Sequence, residues 1–471
     1  MSTNGMTHRP SGALRGVLLP LALAQFICSF AGSNMNVMIT DISEDLDTTV
    51  QGVQTAITIF LLVMAAFMIP GGKLTVRYGR KRCFIAGLIV YGIGALVSAA
   101  SPGLGVLILG NSILEGIGTA LLIPPVYILA TLYFTELTSR ARAFGIISAM
   151  AGVGAAAGPL IGGAITSFIS WRAAFVFQAL IIVVIVLLSR RLMDPLPADP
   201  DRPFDTAGAA MSAGGLILIV AGILAADDNG WLMFALIVAG VLLLTLFFGV
   251  SQAKERAGKE PLLSSAMFHN RTANLGMITQ NLQWLILMGV SFTAAAYLQV
   301  VRGYGAIESG VIFTFATLGI LLSSVGAQRF AERRPQRTLI IAGFAITVVG
   351  IGLLIVMVEV SPSAWAFSPG LFLIGFGLGG MLTPSVNIVQ SSFTDDLQGE
   401  ISGLSRSVSN LGSSLGTAIA GTILVAGLST GAYATALIAL AVVGLLGLGI
   451  ATLLPRTPAP RGADVSSAEP A

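Results

Sequence analysis

Residues 51–72, QGVQTAITIFLLVMAAFMIPGG, hold no charged side chain, and the stretch that follows, KLTVRYGRKRC at 73–83, holds the cations Lys73, Arg77, Arg80, Lys81 and Arg82. A second apolar run opens at Cys83 and lasts to Ser101. About 20 predominantly apolar residues suffice for a helix to cross the hydrocarbon of a bilayer. Cations clustered at the end of such a run mark a cytoplasmic loop. The stretch therefore reads as span, basic turn, span.

The same alternation continues along the chain. Its 471 residues are 55% hydrophobic and 10% charged, with a mean hydropathy of +0.88. A soluble domain carries about 25% charged residues, so soluble, disordered and collagen-like classes are excluded. The fold class expected is an all-α integral membrane protein with fourteen transmembrane helices. Its 56 glycines suit close helix packing in a bilayer. Cys28 and Cys83 read as small packing residues, and His8 and His269 lie in polar segments. That leaves no metal site and no catalytic constellation, so the chain is not expected to be an enzyme.

Of the 25 Lys and Arg residues, 22 fall in loops and tails of one side; Arg172 and Arg302 fall opposite. Arg406, at the start of the thirteenth span, is expected to snorkel outward. The positive-inside rule then places both termini in the cytoplasm, which demands an even number of spans. Polar stretches divide the chain into a cytoplasmic tail (1–16), a six-helix half (17–189), a linker (190–206), a two-helix insert (207–250), a second linker (251–272), another six-helix half (273–454) and a tail (455–471). Two such halves around a central pathway suit a secondary transporter, with the insert at the periphery.

The basic turn, with Gly72, Lys73, Arg77, Gly79, Arg80 and Lys81, resembles the signature loop between spans 2 and 3 of the major facilitator superfamily. A degraded echo, Phe330-Ala331-Glu332-Arg333, follows span 10. Span 5 carries Gly145, Gly154, Gly158, Pro159, Gly162 and Gly163 at the spacing that marks antiporters within that superfamily. Gly154, Gly158 and Gly162 recur every fourth residue and form a smooth stripe for helix contact, while Pro159 favours a bend. Phe204-Asp205, Tyr297-Leu298-Gln299 and Gly412 with Gly416 are similar to the fourteen-span drug:proton antiporter family.

This resemblance implies proton-coupled efflux of amphipathic small molecules, lipophilic or cationic, across the plasma membrane. It implies Lys73, Arg77, Arg80 and Lys81 as conformational locks. The partners expected are substrate, protons and lipid, with no nucleic acid and a monomeric state. No cofactor is expected, and the sequence holds no phosphate-binding loop for ATP. Three positions depart from the family, which usually has charges where this chain has Ala31, Val76 and Ser112. A uniporter or exporter without proton coupling is therefore the alternative, and a non-transporting membrane sensor the more distant one.

Glu115 is the one acidic residue deep in an apolar span, eleven residues from its start. At 1.5 Å per residue that is about 16 Å down, close to the bilayer midplane. A carboxyl there is costly and points to function, here as the proton site. The competing reading is a protonated acid bonded to Asn111 or to another helix. Asn34, Asn111, Gln280, Gln283 and Trp284 are candidates to line the substrate pathway. Interhelical hydrogen bonding accounts equally well for such residues.

Overall fold

The computed structural model describes residues 11–134, 137–201, 203–225, 229–331, 335–361, 363–393 and 398–456. Arg9, Arg202, Glu332, Arg333, Arg334 and Arg461 lie outside them, as do most of the two tails and the core of the loop echo after span 10. The described residues form helices and no strand. The long ones are α1 (Ser11–Asn34), α2 (Val50–Tyr78), α3 (Arg80–Ala99), α4 (Leu104–Tyr133), α5 (Leu137–Phe168), α6 (Trp171–Ser189) and α7 (Thr206–Leu224). They continue as α8 (Gly230–Arg256), α9 (Arg271–Val301), α10 (Ala306–Ala331), α11 (Gln336–Val360), α12 (Ser368–Gln390), α13 (Gln398–Val425) and α14 (Thr430–Thr452).

Among the described residues, 13 helices are long and apolar enough to cross a membrane. The long helix outside that set is α13, whose apolar pattern is broken by Arg406 and by serines at 402, 405, 407, 409, 413 and 414. The serines at 405, 407, 409, 413 and 414 are buried between neighbours rather than exposed to lipid. Ser407 donates to the Ala65 carbonyl at 2.6 Å and Ser414 to that of Thr58 at 3.1 Å. Ser405 donates to Gln280 at 2.9 Å. A hydroxyl satisfied on a neighbouring backbone loses little in a dry interior, so composition alone understates how well α13 fits there.

Helices α1–α6 pack on one another, α9–α14 do likewise, and the two groups meet along α2 with α13 and α5 with α10. The pair α7 and α8 sits to one side: α7 leans on α2 and α13, and α8 packs chiefly on α7. Asp205 knots this pair to the chain that follows. Its carboxylate caps α7 at the Gly208 amide (2.7 Å) and receives Lys254 Nζ (2.5 Å) and the Leu262 amide (3.3 Å). Burial pushes its carboxyl up, but those donors outweigh it and hold the group below the usual range.

Candidate functional site

Where the two groups of helices meet, a cavity of about 70 Å³ opens between α1, α2, α4, α5, α9 and α13. That is below the roughly 300–1,000 Å³ typical of small-molecule sites, so a drug-sized ligand requires the two groups of helices to part further here. Its wall is mostly apolar, with Leu61, Met64, Met68, Ile123, Trp284 and Met288. Polar atoms enter from α1 through Gln25 and Ser29, and from α13 through Arg406, Ser409, Asn410 and Ser413.

Arg406 does not snorkel out. Its guanidinium lies over the Tyr127 ring of α4, 4.8 Å from the centroid, and Nη2 donates to the Tyr127 hydroxyl. Tyr127 in turn donates to Gln25 Oε1 at 3.2 Å, and Gln25 Nε2 donates to Ser29 Oγ at 3.2 Å. Tyr127 is held in place by stacking on Phe144 of α5, with centroids 5.7 Å apart. A chain of polar groups thus crosses from α13 to α1. The misreading has a simple cause: position along a helix says how deep a residue lies, not which face it occupies.

Of the residues singled out for the pathway, only Trp284 reaches the cavity wall. Gln280 is spent on α13, donating to Ser409 (2.8 Å) and accepting from Ser405. Gln283 donates to the Leu378 carbonyl at 3.2 Å. Asn34 and Asn111 are buried with no hydrogen-bond partner for either side-chain polar atom. Cys28, read from sequence as packing, lines the cavity instead.

Glu115 is fully buried, packs on α3 and is not among the residues that line the cavity. Ser98 Oγ lies 3.5 Å from Oε1 and the Tyr91 hydroxyl is close by, while Oε2 has no partner. Tyr91 itself donates to Gln178 of α6 at 2.5 Å. Glu115 closes a π-helical stretch, Ile108–Glu115, inside α4. Such stretches are rare and concentrate at functional sites. Here the two helices nearly touch: a Cβ on Gly94 would lie 2.7 Å from the Gly110 carbonyl and 2.8 Å from the Glu115 amide.

The glycine element of α5 serves two contacts. Gly154, Gly158 and Gly162 lie against Phe26, Phe30, Ser33 and Asn34 of α1. Gly163 instead abuts Ala306 of α10, and the Pro159 carbonyl abuts Gly310 of the same helix, so this face lies on the junction between the two groups. Gly145 has open space around it.

The basic turn also divides. Gly79 adopts φ +97°, a conformation open to glycine at little cost, and this lets the Arg80 amide meet Asp194 Oδ2 at 2.5 Å. Arg80 Nη1 donates to the Pro197 carbonyl (3.1 Å) and Lys81 Nζ to that of Arg190 (3.2 Å), so both hold the 190–206 segment. Arg77 lies over the Tyr78 ring, and Gly72 approaches Pro124. Among the described residues, Lys73 is the one of these cations that reaches across: it pairs with Glu400 of α13 (2.7 Å) and with Glu260 (2.9 Å). At the opposite end Gln299 bridges the two groups, donating to the Asn36 carbonyl (2.7 Å) and accepting from the Thr40 amide (3.4 Å).

Comparison with known proteins agrees with this architecture. A family model of the Major Facilitator Superfamily matches residues 21–208 and 204–417. The chain is 30% identical over 423 residues to a puromycin resistance protein of Streptomyces alboniger, covering 88% of this chain and 82% of that protein. It is 29% identical to a cephamycin export protein of Amycolatopsis lactamdurans, covering 97% and 95%. A tetracenomycin C resistance and export protein of Streptomyces glaucescens is 26% identical, covering 89% and 78%. In fold, the chain superposes on a crystal structure of the peptide transporter POT in complex with sulfate, with a TM-score of 0.68, 18% identity and 96% of each chain covered.

Proposed function

The chain belongs to the Major Facilitator Superfamily, and on that premise we propose that it exports amphipathic small molecules across the plasma membrane in exchange for protons. The cavity between the two groups of helices carries this reading: it lies on their junction, and its largely apolar wall broken by a few polar side chains suits an amphipath. Relatives named for puromycin resistance, tetracenomycin C export and cephamycin export support the outward direction. We read fourteen spans, counting α13 as one, with 17–189 and 273–454 as halves, 207–250 as an insert and both termini cytoplasmic. The protein works as a monomer. Alternating access follows from two sets of ties, Lys73 at the basic end and Gln299 at the other, that release in turn.

Glu115 is the proton carrier in this reading. While neutral, it permits the close approach of α3 and α4 at Gly94 and Gly110. Once ionised, its unpartnered oxygen needs donors or water that this contact excludes, so the two helices must part. Proton binding thereby selects between packings without touching substrate. The test is proton-driven export of a fluorescent substrate from reconstituted vesicles, wild type beside Glu115→Gln. Gradient-driven export should be lost in the variant while the protein remains inserted. A glutamine variant that pumps uphill at the wild-type rate makes Glu115 structural. Wild-type flux that ignores the pH gradient supports the uniporter instead.

A further inference from the structure

Among the described residues the cavity wall holds one basic side chain, Arg406, and no carboxyl group. Among the described residues no acid pairs with it; its partners are the Tyr127 ring and hydroxyl. It begins the third turn of α13, eight residues from the helix start at Gln398, or about 12 Å along the axis. A guanidinium at that depth is costly to hold without a counter-charge, and its five donors form a planar fork of which one arm is spent on Tyr127. Ser409, Asn410 and Ser413 continue the polar strip along the same helix, while the thioethers of Met64, Met68 and Met288 and the indole of Trp284 face it. Thioethers accept irregular apolar shapes, and an indole offers a flat face to a ring.

We propose that the transported molecule is an amphipathic organic anion, its negative group held by Arg406 and its ring system by Trp284 and the methionines. The proposal rests on the export reading above and narrows it. It also revises the expectation of cationic substrates, since a cation in this cavity meets a like charge and no carboxylate. Tyr127 is the partner the anion displaces: its hydroxyl accepts from Arg406 in this structure, and the anion takes over that contact.

Two dyes with the same aromatic frame separate charge from shape: 8-anilinonaphthalene-1-sulfonate, an anion, and N-phenyl-1-naphthylamine, which is neutral. Ethidium supplies the cation. Wild-type protein in phosphatidylcholine vesicles, which present no net-anionic lipid to compete, should bind and move the sulfonate with about tenfold or greater preference over the neutral frame, as expected for a charge-assisted hydrogen bond. Arg406→Gln should reduce that preference ratio about tenfold, and Arg406→Lys should restore part of it. A structural role for Arg406 would depress all three dyes together and leave the ratio unmoved, which overturns the proposal. Transport of ethidium or the neutral dye in preference to the sulfonate overturns it too, while the export reading stands. Transport of none of the three by well-folded protein removes the export reading itself.

Discussion

Alanine placed along α5 probes whether its glycines serve folding within one group of helices or movement between the two. At Gly145 a new Cβ meets nothing within 4 Å, so the substitution should change stability by less than about 0.5 kcal/mol. At Gly162 it comes 3.0 Å from Asn34 Cβ, a contact that a small shift relieves. At Gly158 it strikes Ser33 Oγ, which can rotate, and then lies 3.0 Å from the Phe30 carbonyl. At Gly154 the obstacle is the Phe26 carbonyl itself, and backbone cannot rotate away. Overpacking of a close contact costs about 1–3 kcal/mol, so Gly154→Ala should sit at the top of that range and Gly158→Ala near its foot. Gly163→Ala differs in kind, because its Cβ would lie 2.6 Å from the Ala306 carbonyl of α10, across the junction. It should leave thermal stability in detergent closer to wild type than Gly154→Ala does, yet slow transport at least as much. Thermal unfolding followed by intrinsic fluorescence, paired with vesicle flux, measures both quantities. Equal loss of stability at Gly145 and Gly154 would refute the packing account, and normal flux with Gly163→Ala would remove the junction from the mechanism.

Two further outcomes are expected. Glu400→Gln removes the closer of the two carboxylates on Lys73, a pair with side chains only 12% and 23% exposed; loss of about 1 kcal/mol should move the balance of arrangements at the basic end roughly fivefold toward open. Distances between spin labels on the exposed positions 142 and 391, in a cysteine-free background, should lengthen; an unchanged distribution denies Lys73 its role as a tie. With Cys83 replaced by serine, Cys28 becomes a reporter on the cavity wall, and saturating 8-anilinonaphthalene-1-sulfonate should slow its N-ethylmaleimide labelling several-fold by mass spectrometry. Undiminished labelling would place the dye elsewhere.

The bundle was legible because apolar length and the placement of cations are properties of composition, which a sequence states outright. Ends were less so. The two-helix insert, read as ending at residue 250, runs on as helix to Arg256, and the first span gives way at Met35–Val37 to a 3₁₀ turn. The π-helical stretch before Glu115 left no trace in the pattern of residues, since it changes which backbone groups pair and not which side chains are apolar. For the site, spacing proved too coarse. Gln280, Gln283 and Trp284 share a face, but steps of three and four residues spread them over about 100° of the helix surface. That is enough to send Gln280 to α13, Gln283 to α12 and Trp284 to the cavity. The serines at 405, 409 and 413, one helical turn apart just where Arg406 lies, were the available signal that this face of α13 is not lipid-facing.

The three family positions that are neutral here are absorbed by packing. Ser112 Oγ donates to the Ala56 carbonyl at 2.7 Å and ties α4 to α2, Ala31 is buried, and the Val76 carbonyl receives the Asp199 amide at 3.4 Å. Deep charge in the described bundle is thereby reduced to a carboxyl at Glu115 and a guanidinium at Arg406, each with hydroxyl partners and neither paired with the other. Stability alone would favour replacing both by apolar groups or bringing them together, because an unmatched ionisable group in a dry interior loses hydration and regains little. Keeping them apart makes sense when each meets a charge that comes and goes. In the proposed mechanism the proton visits Glu115 on the α3–α4 contact, and the proposed anion visits Arg406 on the cavity wall. On this reading the two sites communicate through α4, which carries Glu115 at the end of its π-helical stretch and Tyr127, three turns on, against Arg406.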